Sequence, residues 1–158
     1  RLPELLEFVN RLVDEDTFLT FKAGNQMTLK QEKAWLEAKM KSIQIGRDYL
    51  VWTIYKNKII GSCDLTRSGS LRDEHVATMG LMIDKDFRGD GIGRFLIEYI
   101  ISQAKKMKIK IVKLSVFSDN DIAIKLYEKL GFREYGRLPN GLFRQGKYSD
   151  SVKMYKEL

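Results

Sequence analysis

Along this chain, stretches with an apolar residue every three or four positions alternate with stretches where apolar residues crowd together. Leu2, Leu5, Leu6, Val9, Leu12 and Val13 share one face of a helix, with Pro3 tolerated in its first turn. Thr28 followed by Gln31 has the form of a capping box, so a second helix is expected to begin there. It carries Leu29, Trp35, Leu36 and Met40 and fades near Ile43. Between the two helices, Phe18–Gln26 reads as irregular, with bulky apolar residues around Gly24. Tyr49–Tyr55 is rich in β-branched and aromatic residues, Lys56-Asn57-Lys58 turns, and Ile59–Leu65 returns as a hairpin. A polar loop, Thr66–Glu74, leads into a strand at Val76–Ile83. Ile92–Met107 predicts about four helical turns, with Phe95, Leu96, Tyr99, Ile100 and Ala104 facing inward. Ile109–Phe117 reads as a strand, and Asp119 or Asn120 caps a further helix that runs through Leu130 and closes at Gly131. Phe132–Arg137 and Ser151–Lys156 are expected as strands joined by a loop containing Pro139, Asn140 and Gly141.

This order of elements predicts a mixed α/β domain whose sheet is covered by helices, without repeat or linker. At 158 residues a single domain over the whole chain is expected, large enough to bury a core without staples. One cysteine, Cys63, excludes an internal disulfide framework and points to a reducing, cytoplasmic setting. No run approaches the roughly 20 apolar residues of a membrane span, and the chain opens at Arg1 in a helical pattern rather than a signal peptide. The net charge of +7 raises the nucleic-acid reading. The basic residues are spread out, however, and the group Lys105, Lys106, Lys108, Lys110 and Lys113 falls where a helix ends and a strand begins, where cations are expected anyway. Nothing aromatic is interleaved with them, so no nucleic-acid partner is expected. The basic balance suits a polyanionic cofactor and disfavours a site for polycations.

The feature that changes the picture is Arg88-Gly89-Asp90-Gly91-Ile92-Gly93, set between a strand and a helix. Glycines let backbone N–H groups turn toward an anion without obstruction, and the following helix N-terminus adds positive potential. Arg88 brings a planar, permanently charged fork suited to phosphate. The ATP-binding version of such a loop needs a lysine and a hydroxyl after the last glycine, where this chain has Arg94 and Phe95. The dinucleotide version needs a third glycine or alanine at the place held by Arg94, and an acid after the next strand, which ends Val116-Phe117-Ser118. Neither fits. Taken alone, the loop supports only an anion-binding turn.

Arg88, Gly91 and Gly93 do match the R-x-x-G-x-G signature of the GNAT superfamily of N-acetyltransferases. The chain resembles that family at three more places: Met79-Gly80-Leu81-Met82-Ile83-Asp84 with Phe87, like its central strand; Asn120 and Ala123 followed by Leu126-Tyr127-Glu128-Lys129-Leu130-Gly131-Phe132, like its second cofactor motif; and Tyr148–Met154, like the terminal strand of its ribosomal-protein and amino-acid acetylating branches. The likeness runs from about Trp35 to the end of the chain. It implies a mostly antiparallel sheet with splayed central strands, a bulge in the central strand, and a further strand ahead of the first helix.

The same resemblance implies acetyl-CoA as co-substrate and direct attack by a primary amine on its thioester. The amine would belong to a protein N-terminus, an amino acid or a related small molecule, and a homodimer is a further expectation. No metal and no membrane are implied. Leu81, Met82 and Ile83 would offer backbone groups to the pantetheine arm and the thioester carbonyl, an oxyanion-type contact. Gly89, Asp90, Gly91, Ile92, Gly93 and Arg94 would hold the pyrophosphate, together with Arg88. Asn120 either meets the cofactor arm, caps its helix, or does both. Tyr127 stands where the family keeps its general acid; a phenol with a pKa near 10 is protonated at neutral pH and can donate to the departing thiolate. The alternative for Tyr127 is an aromatic packed in the core. The family's glutamates are absent, with Thr78 at one usual place and Ser115 at the other. Water, or Glu74 or His75 ahead of the strand, would have to take the amine's proton. A non-catalytic acyl-CoA-binding module is therefore a second reading. Cys63, lacking an evident histidine partner, is expected to pack rather than carry an acetyl group. The acceptor pocket would be built from Phe18–Gln26, Thr66–Glu74 and Arg137–Gly146.

Overall fold

Lys56 and Asn57 both take left-handed backbone angles, φ 46° and 62°, which makes a two-residue turn whose twist matches its flanking strands. That turn joins β1 (Asp48–Tyr55) to β2 (Lys58–Arg67), and β2 in turn pairs antiparallel with β3 (Val76–Ile83). The computed structural model describes residues 1–15 and 28–158, so Phe18–Gln26 lies outside the described residues. The remaining elements are α1 (Leu2–Asp14), α2 (Leu29–Gln44), α3 (Ile92–Lys106), β4 (Ile111–Phe117), α4 (Asp121–Lys129), β5 (Arg133–Arg144) and β6 (Lys147–Glu157). The strands form one sheet in the order β1-β2-β3-β4-β6-β5, antiparallel throughout except between β3 and β4.

The parallel junction is short. Val76, Ala77 and Thr78 pair with Ile111, Val112 and Lys113, and beyond them β3 and β4 part. This is the expected splay, but not through the expected bulge. The β2–β3 register runs from Gly61↔Ile83 to Arg67↔Ala77 without a shift. β4 stays with β6 over its whole length, Ile111↔Glu157 to Phe117↔Ser151, so the separation opens between two intact ladders.

Two apolar cores lie on opposite faces. Under α3 and α4, Cys63, Leu65, Met79, Leu96, Ile97, Ile100, Val112, Leu114, Tyr127 and Phe132 pack together. On the other face, Leu5, Phe8, Val9, Leu12 and Val13 of α1 close over Ile59, with Leu36, Trp52 and Met82 alongside.

Several patterns resolve differently from expectation. In α2 the apolar set is split: Leu36 packs inward but Leu29, Trp35 and Met40 are exposed, while Glu32 and Lys39 are buried. Lys39 can be buried because Asp48 at 3.1 Å, Asp64 at 2.9 Å and the Thr66 hydroxyl at 2.7 Å surround its ammonium. Burial raises the pKa of the Glu32 carboxyl. In α3 the buried arc is centred one residue further on, at Leu96, Ile97, Ile100, Gln103 and Ala104. Phe95 and Tyr99 turn outward instead, stacked on each other at 6.5 Å, and the Tyr99 hydroxyl lies 3.1 Å from that of Tyr49 on β1. The last hairpin turns at Gln145-Gly146, φ 49° and 74°, rather than at Pro139–Gly141. Those three residues sit within β5 at a register shift between Leu138 and Leu142, where Pro139 has no N–H to give to the ladder.

Candidate functional site

Which backbone groups face the gap follows from the ladder. Asp84 N–H donates to Ile60 C=O and Ser68 N–H donates to Val76 C=O, so the even-numbered residues of β3 turn their peptide groups to β2. On the other side His75 C=O accepts from Lys110 and Ile111 on the β4 side. The odd-numbered residues Met79, Leu81 and Ile83 therefore point into the splay, beyond the last paired rung. Of the three residues expected there, Leu81 and Ile83 offer their backbone groups to the gap, whereas those of Met82 are spent on β2. The Ile83 carbonyl already accepts from Arg88 Nε at 3.0 Å.

After β3 the chain makes a single 3₁₀ turn, Lys85–Phe87, begun by Asp84, whose carboxylate accepts from the Asp86 N–H. Asp84 is buried and also takes two bonds from Arg11 of α1, at 3.1 and 2.8 Å. Arg88, at the other end of the turn, donates to Glu15 at 2.7 Å. Both ends of this turn are thus tied to the end of α1. The guanidinium of Arg88, expected to point at phosphate, instead fixes the end of β3 and carries its charge beside Glu15.

Gly89 and Gly91 have φ of 87° and 81°, a region where a side chain is strained even in open space. Gly91 caps α3 without any side-chain bond, and the first turn of α3 holds no acidic residue. The first backbone bond is that of Phe95 N–H to Gly91 C=O. Among the described residues no acceptor meets the N–H groups of Gly89, Asp90, Gly91, Ile92, Gly93 or Arg94. These donors at an exposed helix N-terminus form a cradle for an anion. Gly93 differs from Gly89 and Gly91: its φ is not left-handed, and a Cβ there would meet Leu126 and Leu81 at 3.6 and 3.7 Å, ordinary van der Waals contact, so the backbone does not itself require a glycine at that position. Beside the cradle a cleft of about 490 Å³ runs between α3 and the end of α4, with Arg94, Lys105, Lys129 and Lys156 in its lining and Glu98 as its one acid.

Asn120 caps α4, its side-chain oxygen accepting from Ala123 N–H at 3.3 Å. Tyr127, two turns further on, is buried with its ring against Phe132 at 5.7 Å, among residues of both β3 and β4. Burial, and then the neighbouring Cys63, push its phenol up, so it holds its proton. Cys63 is buried as well, and burial followed by the charge of Asp64 drives its thiol up. A thiol held in that state is a poor nucleophile, in keeping with a packing role. Ser115 accepts from Lys153 Nζ at 2.7 Å, so one usual base position holds a hydroxyl beside a cation.

The sequence from residue 12 to 132 matches the acetyltransferase (GNAT) family, an interval that contains the cradle, the splay and the second motif. The chain belongs to the GNAT acetyltransferase family. Among curated relatives, the [ribosomal protein bS18]-alanine N-acetyltransferase of Escherichia coli is 32% identical over 100 residues, which is 63% of this chain and 65% of the relative. The L-amino acid N-acetyltransferase AaaT of the same organism is 29% identical over 97 residues, 61% of this chain and 60% of the relative. In both, the match spans less than two thirds of the relative's length. The fold of this GNAT domain also matches yncA of Salmonella typhimurium, solved with its cofactor acetyl-CoA, at a TM-score of 0.85 and 18% identity, over 99% of this chain and 87% of the other.

The structure brings the cradle, the open edge of β3 and α4 to one end of the sheet, in the order the motifs implied. Sequence reasoning missed Arg11, Glu15 and Asp84, which brace the cradle. No local pattern could have paired residues 73 positions apart.

Proposed function

We propose that this GNAT domain is an N-acetyltransferase that takes acetyl-CoA as co-substrate and transfers its acetyl group directly to a primary amine. The observation that carries this reading is the run of N–H groups from Gly89 to Arg94, without an acceptor among the described residues, at the foot of a strand edge left open beyond Thr78. The cradle suits the pyrophosphate, and Arg88 serves it by holding the loop in place. The basic cleft beside α3 suits the remaining phosphate of coenzyme A. Leu81 and Ile83 supply the edge along which the pantetheine amides would pair, and the Asn120 amide nitrogen, which meets no acceptor among the described residues, could reach the arm. Tyr127 is the donor to the thiolate; its place among residues of β3 and β4, at the end of the sheet where the splay opens, supports that role.

The acceptor is the amine of a protein N-terminus or an amino acid, a reading supported by the named activities of the relatives. A reducing, cytoplasmic setting is part of the proposal, supported by a single buried cysteine; no described helix is long and apolar enough to cross a membrane. Thiol release from acetyl-CoA, measured over a panel of amines, tests the proposal, and robust turnover with at least one amine is expected. Tight binding of acetyl-CoA with no turnover on any of them would favour the second reading, an acyl-CoA-binding module. The absence of a carboxylate at Thr78 and the Lys153 contact at Ser115 are what keep that reading alive.

A further inference from the structure

Thr66, Thr78 and Gly80 lie exposed on the sheet face opposite α3, where β2 and β3 form a polar floor. Asp64 is the only carboxylate anywhere in β2, β3 or β4, and it stands on this floor, directly across from Gly80. Its two oxygens are treated differently. Oδ2 is engaged by Lys39 Nζ at 2.9 Å and by the Thr66 hydroxyl at 3.4 Å. Oδ1 has no partner among the described residues and reaches over β3: a Cβ built on Gly80 would lie 2.6 Å from it. Any side chain at position 80 would drive that oxygen away. The glycine thus lets a carboxylate from the neighbouring strand lie over the central one, beside the residues whose peptide groups line the splay.

Charge on this face is arranged to the same end. Lys39 from α2 is shared by Asp48 of β1 and Asp64, so the three ionised groups sum to one net negative charge. Asp48 lies under Lys39 and is 8% exposed, while the side chain of Asp64 is 28% exposed. From α2, Glu32 is held back by burial two turns from Lys39. From beyond the gap, Lys113 and Lys153 face the same side on β4 and β6. An incoming ammonium group is repelled on the β4 side and attracted at Asp64.

We infer that Asp64 is the proton acceptor for the amine, a role this family's usual glutamate would fill from Thr78 or Ser115; the inference rests on the acetyltransferase reading above. Asp64 Oδ1 takes one proton from the bound ammonium group. The freed nitrogen lone pair attacks the thioester carbon, and the C–N bond forms as the C–S bond breaks. Tyr127 gives its proton to the departing thiolate, which leaves as thiol; the excess proton on the new amide nitrogen restores the Tyr127 phenol, and Asp64 returns its own proton to solvent.

The test is the pH profile of kcat/KM for an accepted amine in wild type, Asp64→Asn and Asp48→Asn. Asp64→Asn is expected to lose about a hundredfold at pH 7, with acetyl-CoA affinity unchanged. Its deficit should close toward alkaline pH, because amine that is already neutral needs no base. Asp48→Asn removes a charge from the same buried group away from β3, and is expected to lower Tm without a pH-dependent deficit. If Asp64→Asn does not fold, Gly80→Ala, which turns Oδ1 aside and keeps every charge, carries the same expectation. An Asp64→Asn deficit of equal size at every pH, or none, would overturn the inference while leaving the acetyltransferase reading intact. Wild-type protein that releases no thiol with any amine would overturn both.

Discussion

Two helices of this protein begin in opposite ways. α2 begins at Thr28 with a complete capping box: the Gln31 N–H donates to the Thr28 hydroxyl at 3.3 Å and the Thr28 N–H donates to the Gln31 side chain at 2.9 Å. α3 begins at Gly91, with a left-handed residue, no cap and no acid in its first turn. Both starts are exposed, so solvent access does not explain the difference. One start is satisfied from within; the other leaves its donors open to a group from outside, which is the contrast on which the proposed phosphate contact rests. α4 is the mixed case, since Asn120 spends its oxygen on the cap while its nitrogen meets no acceptor among the described residues.

The largest effect expected from breaking this contrast is at the bare end. Gly91→Glu places a side chain at φ 81° and a negative charge at the helix start. It should weaken acetyl-CoA binding at least about a hundredfold by titration calorimetry, and wild-type affinity would mean the cradle holds no phosphate. Next comes Tyr127→Phe, which leaves the starts of α2, α3 and α4 alone. Turnover should fall about tenfold or more while acetyl-CoA affinity stays the same; full turnover across pH would remove Tyr127 as the acid. Asn120→Asp separates the two halves of the mixed case. It keeps an oxygen for the cap, so Tm should hold, but it exchanges the free donor for an acceptor and should weaken acetyl-CoA severalfold. A fall in Tm with affinity intact would make Asn120 a cap alone. Thr28→Ala should have the smallest effect on the ligand: a stability loss of about 1 kcal/mol by denaturant titration, and no change in acetyl-CoA binding. A matching loss of affinity there would erase the distinction between the two helix starts.

The features readable in the sequence were those set by near neighbours. The Thr28–Gln31 box, the Lys56-Asn57 turn, the β3 boundaries and the Asn120 cap all stand where the local pattern put them. Periodicity alone failed where a partner from elsewhere decided the outcome. Lys39 is buried because two strands bring it carboxylates, and Tyr99 faces out because Tyr49 receives it. The candidate site shows the same division. Gly89 and Gly91 were legible because a left-handed turn demands them; the Arg11–Asp84 and Arg88–Glu15 braces were not, because they exist only once α1 is docked. Nor was Asp64, whose significance depends on lying across from Gly80 rather than on any motif around it.

The three-rung seam between β3 and β4 has a bearing on the life of the whole molecule. Three parallel rungs join two ladders that are each far longer. A pantetheine arm laid along the open edge of β3 would extend that seam, so the co-substrate would work as a structural member as well as a reactant. Every molecule bound in this way adds to folding stability by mass action. Under the proposed activity, the folded fraction would rise with the concentration of acetyl-CoA, so that the melting temperature itself would report how much of the co-substrate is at hand.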